Sequence, residues 1–166
     1  DLIVDNEYIR KIGEEIQIEV VNRPVQEDDF NVDDIVYYDI EERTTIPMNQ
    51  VDTSKGANFV FAMSVKNLGI YEMEMVFQSG LEAMAQIPMT IFTQSVPVGV
   101  ITFNGTGGQW KSVMKRVCLA TKYVVVRLHF GQSGLNLKEM KFKMIEKAKD
   151  EGTPLDVEGD YDMGFR

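Results

Sequence analysis

The sequence contains one cysteine, one histidine and one tryptophan in 166 residues. With Cys118 as the sole thiol, no disulfide can close within the chain. A structural zinc site needs several Cys or His ligands, and only Cys118 and His129 could supply them. The same scarcity argues against nucleophilic catalysis, which needs a nucleophile with a base in reach. Cys118 lies between Val117 and Leu119, as an inert half-buried thiol would, and His129 lies mid-strand opposite the apolar residues. No apolar run approaches the ~20 residues of a bilayer span. Lys and Arg number 17 against 26 Asp and Glu, a net charge of −9. Binding to nucleic acid phosphates calls for clustered Lys and Arg, so the balance fits a neutral or cationic partner, or none.

Other chemistry-bearing patterns are incomplete. Asn104-Gly105-Thr106-Gly107-Gly108 lacks the Lys-Ser/Thr of a phosphate loop and precedes a strand rather than a helix. Glu27, Asp28, Asp29, Asp33 and Asp34 miss the spacing of a twelve-residue calcium loop and read as a solvated acidic stretch. The expectation is a chain with no enzyme active site of its own. It opens Asp1-Leu2-Ile3, with neither an initiator Met nor a positively charged, apolar leader. It therefore reads as a processed chain or an excised domain.

What is present is period-two alternation. Phe59, Phe61, Met63 and Val65 share one face; after the turn at Asn67-Leu68-Gly69, Tyr71, Met73, Met75 and Phe77 do the same, with Glu72 and Glu74 opposite. Val124, Val126, Leu128 and Phe130 alternate with Arg127 and His129, and Met140, Phe142 and Met144 with Lys141 and Lys143. Shorter candidates are Ile16–Val20, Ile35–Ile40, Met89–Thr93, Val98–Phe103 and Val113–Leu119, with a brief helical turn at Ile145–Asp150. With Gly, Pro, Asn and Ser between them, these segments predict an all-β fold, an antiparallel β-sandwich of jelly-roll type. The sandwich is expected over 14–145, with an N-terminal extension at 1–13 and a C-terminal extension or linker at 146–166. Hydrophobic residues at 44% suffice for one core.

One segment has the makings of a sugar site. Phe103 to Trp110 sets the tryptophan beside a Gly-rich loop bearing Asn104 and Gln109. An indole stacks on the C–H face of a pyranose while amides bond its hydroxyls. A core role is the plainer alternative for a Trp at a strand start. Of the adjacent Tyr37 and Tyr38, alternation exposes one as a second platform, and Tyr38 is the candidate taken forward.

The order of motifs resembles a family-six carbohydrate-binding module, a jelly roll appended to secreted glycoside hydrolases. The residues that carry the resemblance are Ile16-Gln17-Ile18-Glu19, Lys55 to Phe59 with Leu68 to Tyr71, Thr106 to Val113, and Gly134-Leu135-Asn136-Leu137. It spans roughly residues 14–145. It implies oligo- or polysaccharide binding by Trp110, Asn136, Asn104 and Gln109, other domains of a parent glycoside hydrolase as partners, and an extracellular, cell-surface or periplasmic location. The departures are Asn58 where an aromatic wall is usual, a shortened loop with one Trp, and Val21 and Lys138 where carboxylates are usual. The resemblance thus leaves Glu19 as the remaining metal ligand. No cofactor is expected beyond a weak calcium. A degenerate spacer or protein-docking domain is the alternative.

Overall fold

The computed structural model describes residues 35–149 and 159–165. The chain divides into two compact units, Asp1–Ile35 and Val36–Arg166, and every strand described belongs to the second. The expected strand Ile16–Val20, the acidic stretch 27–34 and Glu19 lie outside the described residues.

Among the described residues ten strands form two five-stranded sheets. They are β1 (Val36–Ile40), β2 (Arg43–Pro47), β3 (Asn58–Val65), β4 (Gly69–Gln78), β5 (Gln86–Thr93), β6 (Val96–Asn104), β7 (Lys111–Leu119), β8 (Tyr123–Phe130), β9 (Asn136–Lys147) and β10 (Met163–Phe165). The first sheet runs β1-β3-β8-β5-β6 and the second β10-β7-β4-β9-β2. Every neighbouring pair is antiparallel except β1 with β3 and β10 with β7. The jelly-roll sandwich expected from alternation is therefore present, with a parallel strand added at one edge of each sheet.

The core is the one the alternation assigns. Phe61, Met63, Tyr71, Met73, Met75, Val124, Val126, Leu128, Met140 and Phe142 are buried between the sheets, while Phe59 is partly buried and stacks on Phe61. Strands buried on one face only must alternate in this way, since a one-residue slip would turn every apolar side chain to water. β5 and β6 are joined by Gln94 and Ser95, both at positive φ (51° and 70°). That is the requirement of a two-residue hairpin whose twist matches its strands.

Two sequence expectations are corrected. Residues 145–147 are the end of β9, not a helical turn; their backbone is held by pairing with Gly69 and Ile70 of β4. The segment expected to be an extension or linker supplies β10, whose Met163 and Phe165 are buried. Asp162 holds β10 in place at Arg116: its N–H donates to the Arg116 carbonyl at 2.7 Å, and its carboxylate accepts from the Arg116 N–H at 2.9 Å.

Burial raises the Tyr71 hydroxyl to about 12, with the charge of Glu42 adding to the effect. The hydroxyl donates to the Asn67 carbonyl. A group raised in this way favours folding fully below its unfolded value of about 10 and ceases to do so as the pH passes its folded value. Stability is expected to hold to about pH 10 and then fall toward pH 12. A Tyr71→Phe variant followed by urea unfolding should show a shallower fall across that window; an identical slope would remove Tyr71 as its source.

Candidate functional site

The two sheets present unlike outer faces. On the second, Glu72 and Glu74 of β4 lie in register with Lys143 and Lys141 of β9, and Glu72 also with Arg116 of β7. Opposite charges side by side across strands describe a solvated surface. The first sheet's outer face carries Asn58, Val60, Arg127, His129, Thr90 and Phe92 in adjacent positions. There the Arg127 guanidinium lies 3.8 Å from the centre of the Phe92 ring. The Asn58 side-chain oxygen accepts from Arg127 at 2.7 Å and lies 3.0 Å from His129 Nδ1. Tyr37 is 73% exposed at the margin of this face and Tyr123 76%.

The parallel register of β1 on β3 decides which tyrosine is exposed. Tyr37 is in register with Ala62 and Tyr38 with Met63. Since Met63 points inward, so does Tyr38, which meets Phe61 edge to face at 6.0 Å. Tyr38, expected as the exposed ring of the pair, is turned inward, and Tyr37 is the exposed one. Alternation alone could not decide between them, because the parity is fixed by the partner strand.

The loop-end residues are arranged differently. Trp110 precedes β7 and is 49% exposed, so much of its ring faces solvent. Gln78 ends β4 and stands in register with Asn136 at the start of β9. The Asn136 side-chain amide donates to the Gln78 oxygen at 3.3 Å, and the Gln78 amide donates to the Gly108 carbonyl at 2.7 Å. One chain of amides thus links β9, β4 and the glycine loop that leads to Trp110. Lys138 lies 5.8 Å from the indole centre. It is the extra residue of a bulge: Val76 pairs with Glu139 and Phe77 with Leu137, leaving Lys138 between them. Bulges re-aim side chains in this way, and the Met48 N–H bonded to the Lys138 carbonyl at 2.9 Å fixes this one.

The loop itself is braced rather than free. The Ser79 carbonyl accepts from the N–H groups of Thr106 and Gly108 and from the Thr106 hydroxyl, and that hydroxyl accepts from the Ser79 N–H. Gly107 and Gly108 have φ of +63° and +88°, a backbone that L side chains adopt reluctantly. Of the sequence candidates, Asn136 is tied through Gln78 to the glycine loop on which Gln109 and Trp110 are exposed. Asn104 is not part of the group: its amide donates to the Ala85 carbonyl at 2.9 Å and ties β6 to the 80–85 loop. Gln78 and Lys138 join this group in the structure without having been singled out from sequence as candidates for it. Gln78 sits in an apolar strand with no motif, and the bulge at Lys138 is set by pairing. Lys111 and Ser112 also line a cleft of about 280 Å³ with Phe77 and Phe103 at its base.

Among the described residues no group of three or more His, Cys, Asp and Glu side chains is placed to hold a metal, and no helix is long and apolar enough to cross a membrane.

The architecture is that of a jelly-roll β-sandwich. No protein-family model matches the sequence. The chain is 34% identical over 141 residues to a beta-glucosidase from Ruminococcus albus, a match that covers 84% of this chain and 15% of that protein. This chain therefore spans only a small part of its curated relative. Among solved structures, a beta-glucosidase from Paenibacillus barengoltzii shares the fold at a TM-score of 0.51 and 13% identity, over 65% of this chain and 11% of that one. A family 35 carbohydrate-binding module from Clostridium thermocellum aligns at a TM-score of 0.49 and 17% identity, over 63% of this chain and 90% of that one.

Proposed function

We propose that the chain is a non-catalytic carbohydrate-binding module of a secreted glycan-degrading protein. The half-exposed face of Trp110 is the sugar platform, and the amides of Asn136, Gln78 and Gln109 are its hydrogen-bonding rim. The observation that supports this most directly is the placement of an exposed indole at the end of an amide chain, on a loop braced by Ser79 and Thr106. A preformed platform spares the ordering cost that a loose loop would incur on binding. The 34% identity to part of a much longer beta-glucosidase supports a glycoside-hydrolase setting, in which a module of this size is an accessory unit. Its location would then be extracellular, at the cell surface or periplasmic.

Binding by one ring is weak. At ~25 cal/mol per Å² a single stacked indole contributes only a few kcal/mol, and each amide bond to a hydroxyl replaces one to water. Affinity is expected near millimolar. Asn58, which stands where the resembling family has an aromatic wall, supplies no second ring here; its side chain is turned to Arg127 and His129.

The test is titration calorimetry of wild type and Trp110→Ala against neutral and acidic plant and algal oligosaccharides. Binding that disappears in a variant with an unchanged melting temperature is the expected result. Binding that survives Trp110→Ala but not Tyr37→Ala would transfer the platform to the first sheet's outer face, where the exposure of Tyr37 and Tyr123 favours that second reading. A wild type that binds no glycan would leave the spacer or docking domain.

A further inference from the structure

The short strand β10 closes one end of the seam between β6 and β7 and leaves the other open. It pairs with Val117, Cys118 and Leu119, and its Met163 and Phe165 turn inward. Next along β7, the carbonyl and N–H of Arg116 are both bonded to Asp162. Those two groups therefore point away from β4. The register of β7 on β4 is unbroken from Leu119 to Lys111, so the N–H and C=O of Met114 and Ser112 point the same way. Among the described residues these four groups have no hydrogen-bond partner. They run beside the cleft that has Phe77 and Phe103 at its base. Lys111, Val113 and Lys115 are in register with Phe77, Met75 and Met73, so all three side chains face the seam. Lys115 is half-buried there, and neither lysine forms an ion pair among the described residues.

We propose that this open edge docks an extended acidic peptide from another polypeptide, added to the sheet as a strand beside Ser112 and Met114. Side chains directly opposite one another on paired strands share a face. The edge presents cation, apolar, cation at alternate positions, so the complementary strand carries carboxylate, apolar, carboxylate. Its apolar side chain enters the cleft over Phe77 and Phe103, and its carboxylates meet Lys111 and Lys115. Main-chain bonds give such a complex its affinity and the alternate side chains its specificity. Within the domain β10 already uses this geometry, with Met163 and Phe165 entering the same seam. Inward-facing charges at a sheet edge oppose indiscriminate pairing. An acidic strand removes that opposition, whereas a basic one adds to it. Nothing in this arrangement requires the Trp110 platform.

The experiment titrates the isotope-labelled whole chain with the capped peptide Thr-Glu-Thr-Leu-Thr-Glu-Thr and with its counterpart bearing Lys for Glu, followed by NMR. The expected result is that amide shifts concentrate at residues 111–116 and that the acidic peptide binds at least about fivefold tighter, since one exposed ion pair contributes up to about that factor. Raising the salt to about 1 M, where the screening length falls to about 3 Å, should remove most of the difference. Met114→Pro deletes a donor on the open side of β7, where proline is tolerated, and should abolish peptide binding with a melting temperature close to wild type. Independently, the double variant Lys111→Glu/Lys115→Glu should reverse the preference toward the lysine peptide. Trp110→Ala should leave peptide binding intact, so the docking edge and the sugar platform fail separately. Equal binding of the two peptides, shifts elsewhere on the domain, or an unchanged preference in the double variant overturns the proposal. Concentration-dependent dimerisation through 111–116 also overturns it, by giving the edge to a second copy of the chain. Binding of neither peptide overturns it too, and leaves Lys111 and Lys115 as guards of the edge.

Discussion

Phe165→Ala is expected to lower the stability of the domain by about 3–5 kcal/mol, the range for deleting a buried phenylalanine. That is a large part of the 5–15 kcal/mol typical of a whole domain. Phe165 is 1% exposed although it sits in a strand of only three residues near the end of a polar segment. Its strand pairs with Val117, Cys118 and Leu119, and Met163 two residues earlier reaches β6. A methyl group on Gly99 would run into the Met163 thioether, so the glycine is the space that the methionine occupies. Truncating Phe165 leaves a cavity that only a short, weakly paired strand could collapse to fill. Chemical denaturation checks this directly. A loss below about 1 kcal/mol would show that β10 decorates the sandwich without closing it.

Gly105→Ala should cost about 3 kcal/mol, combining overpacking with the loss of hydrogen bonds around it. A Cβ there would fall against the carbonyl oxygens of Glu82 and Leu81, well inside van der Waals contact, and backbone cannot yield as a side chain can. The 80–85 loop would have to move away from 105–108, parting the bonds between Ser79 and Thr106 and the Gly107 N–H from the Leu81 carbonyl. The Gly108 carbonyl that holds Gln78 moves with them. Thermal unfolding should therefore fall together with sugar affinity. The control is Gly80→Ala, which meets nothing within 4 Å and should leave both unchanged. If Gly105→Ala lowers stability while affinity stays intact, the brace does not position the platform.

The strands that could be read from sequence are those whose environment is local. β3, β4 and β8 each bury one whole face, so water imposes the alternation residue by residue. β2 was not legible because Ile46 is its one fully buried residue. Arg43, Thr44 and Thr45 become a strand only through pairing with Lys143, Phe142 and Lys141. β10 is shorter than any window in which alternation can be measured. The site divides in the same way. Trp110 was visible as an aromatic beside glycines, and Asn136 through a family motif. The inward turn of Tyr38 and the bulge at Lys138 depend on strand partners distant in sequence, which no local pattern encodes. Asn58 was legible as a missing aromatic, but not as the acceptor that joins Arg127 to His129.

The late position of β10 also bears on how the domain is made. Strands β3 to β9 leave the ribosome before residues 163–165 exist, so the nascent sandwich assembles with the seam between β6 and β7 still open. Val117 and Leu119 then wait for Met163 and Phe165 across more than forty residues of chain, and a contact that distant is slow to form. During that interval the unpaired edge of β7 is open to other extended chains, with Lys111, Lys115 and Arg116 along it as the charges that discourage such pairing.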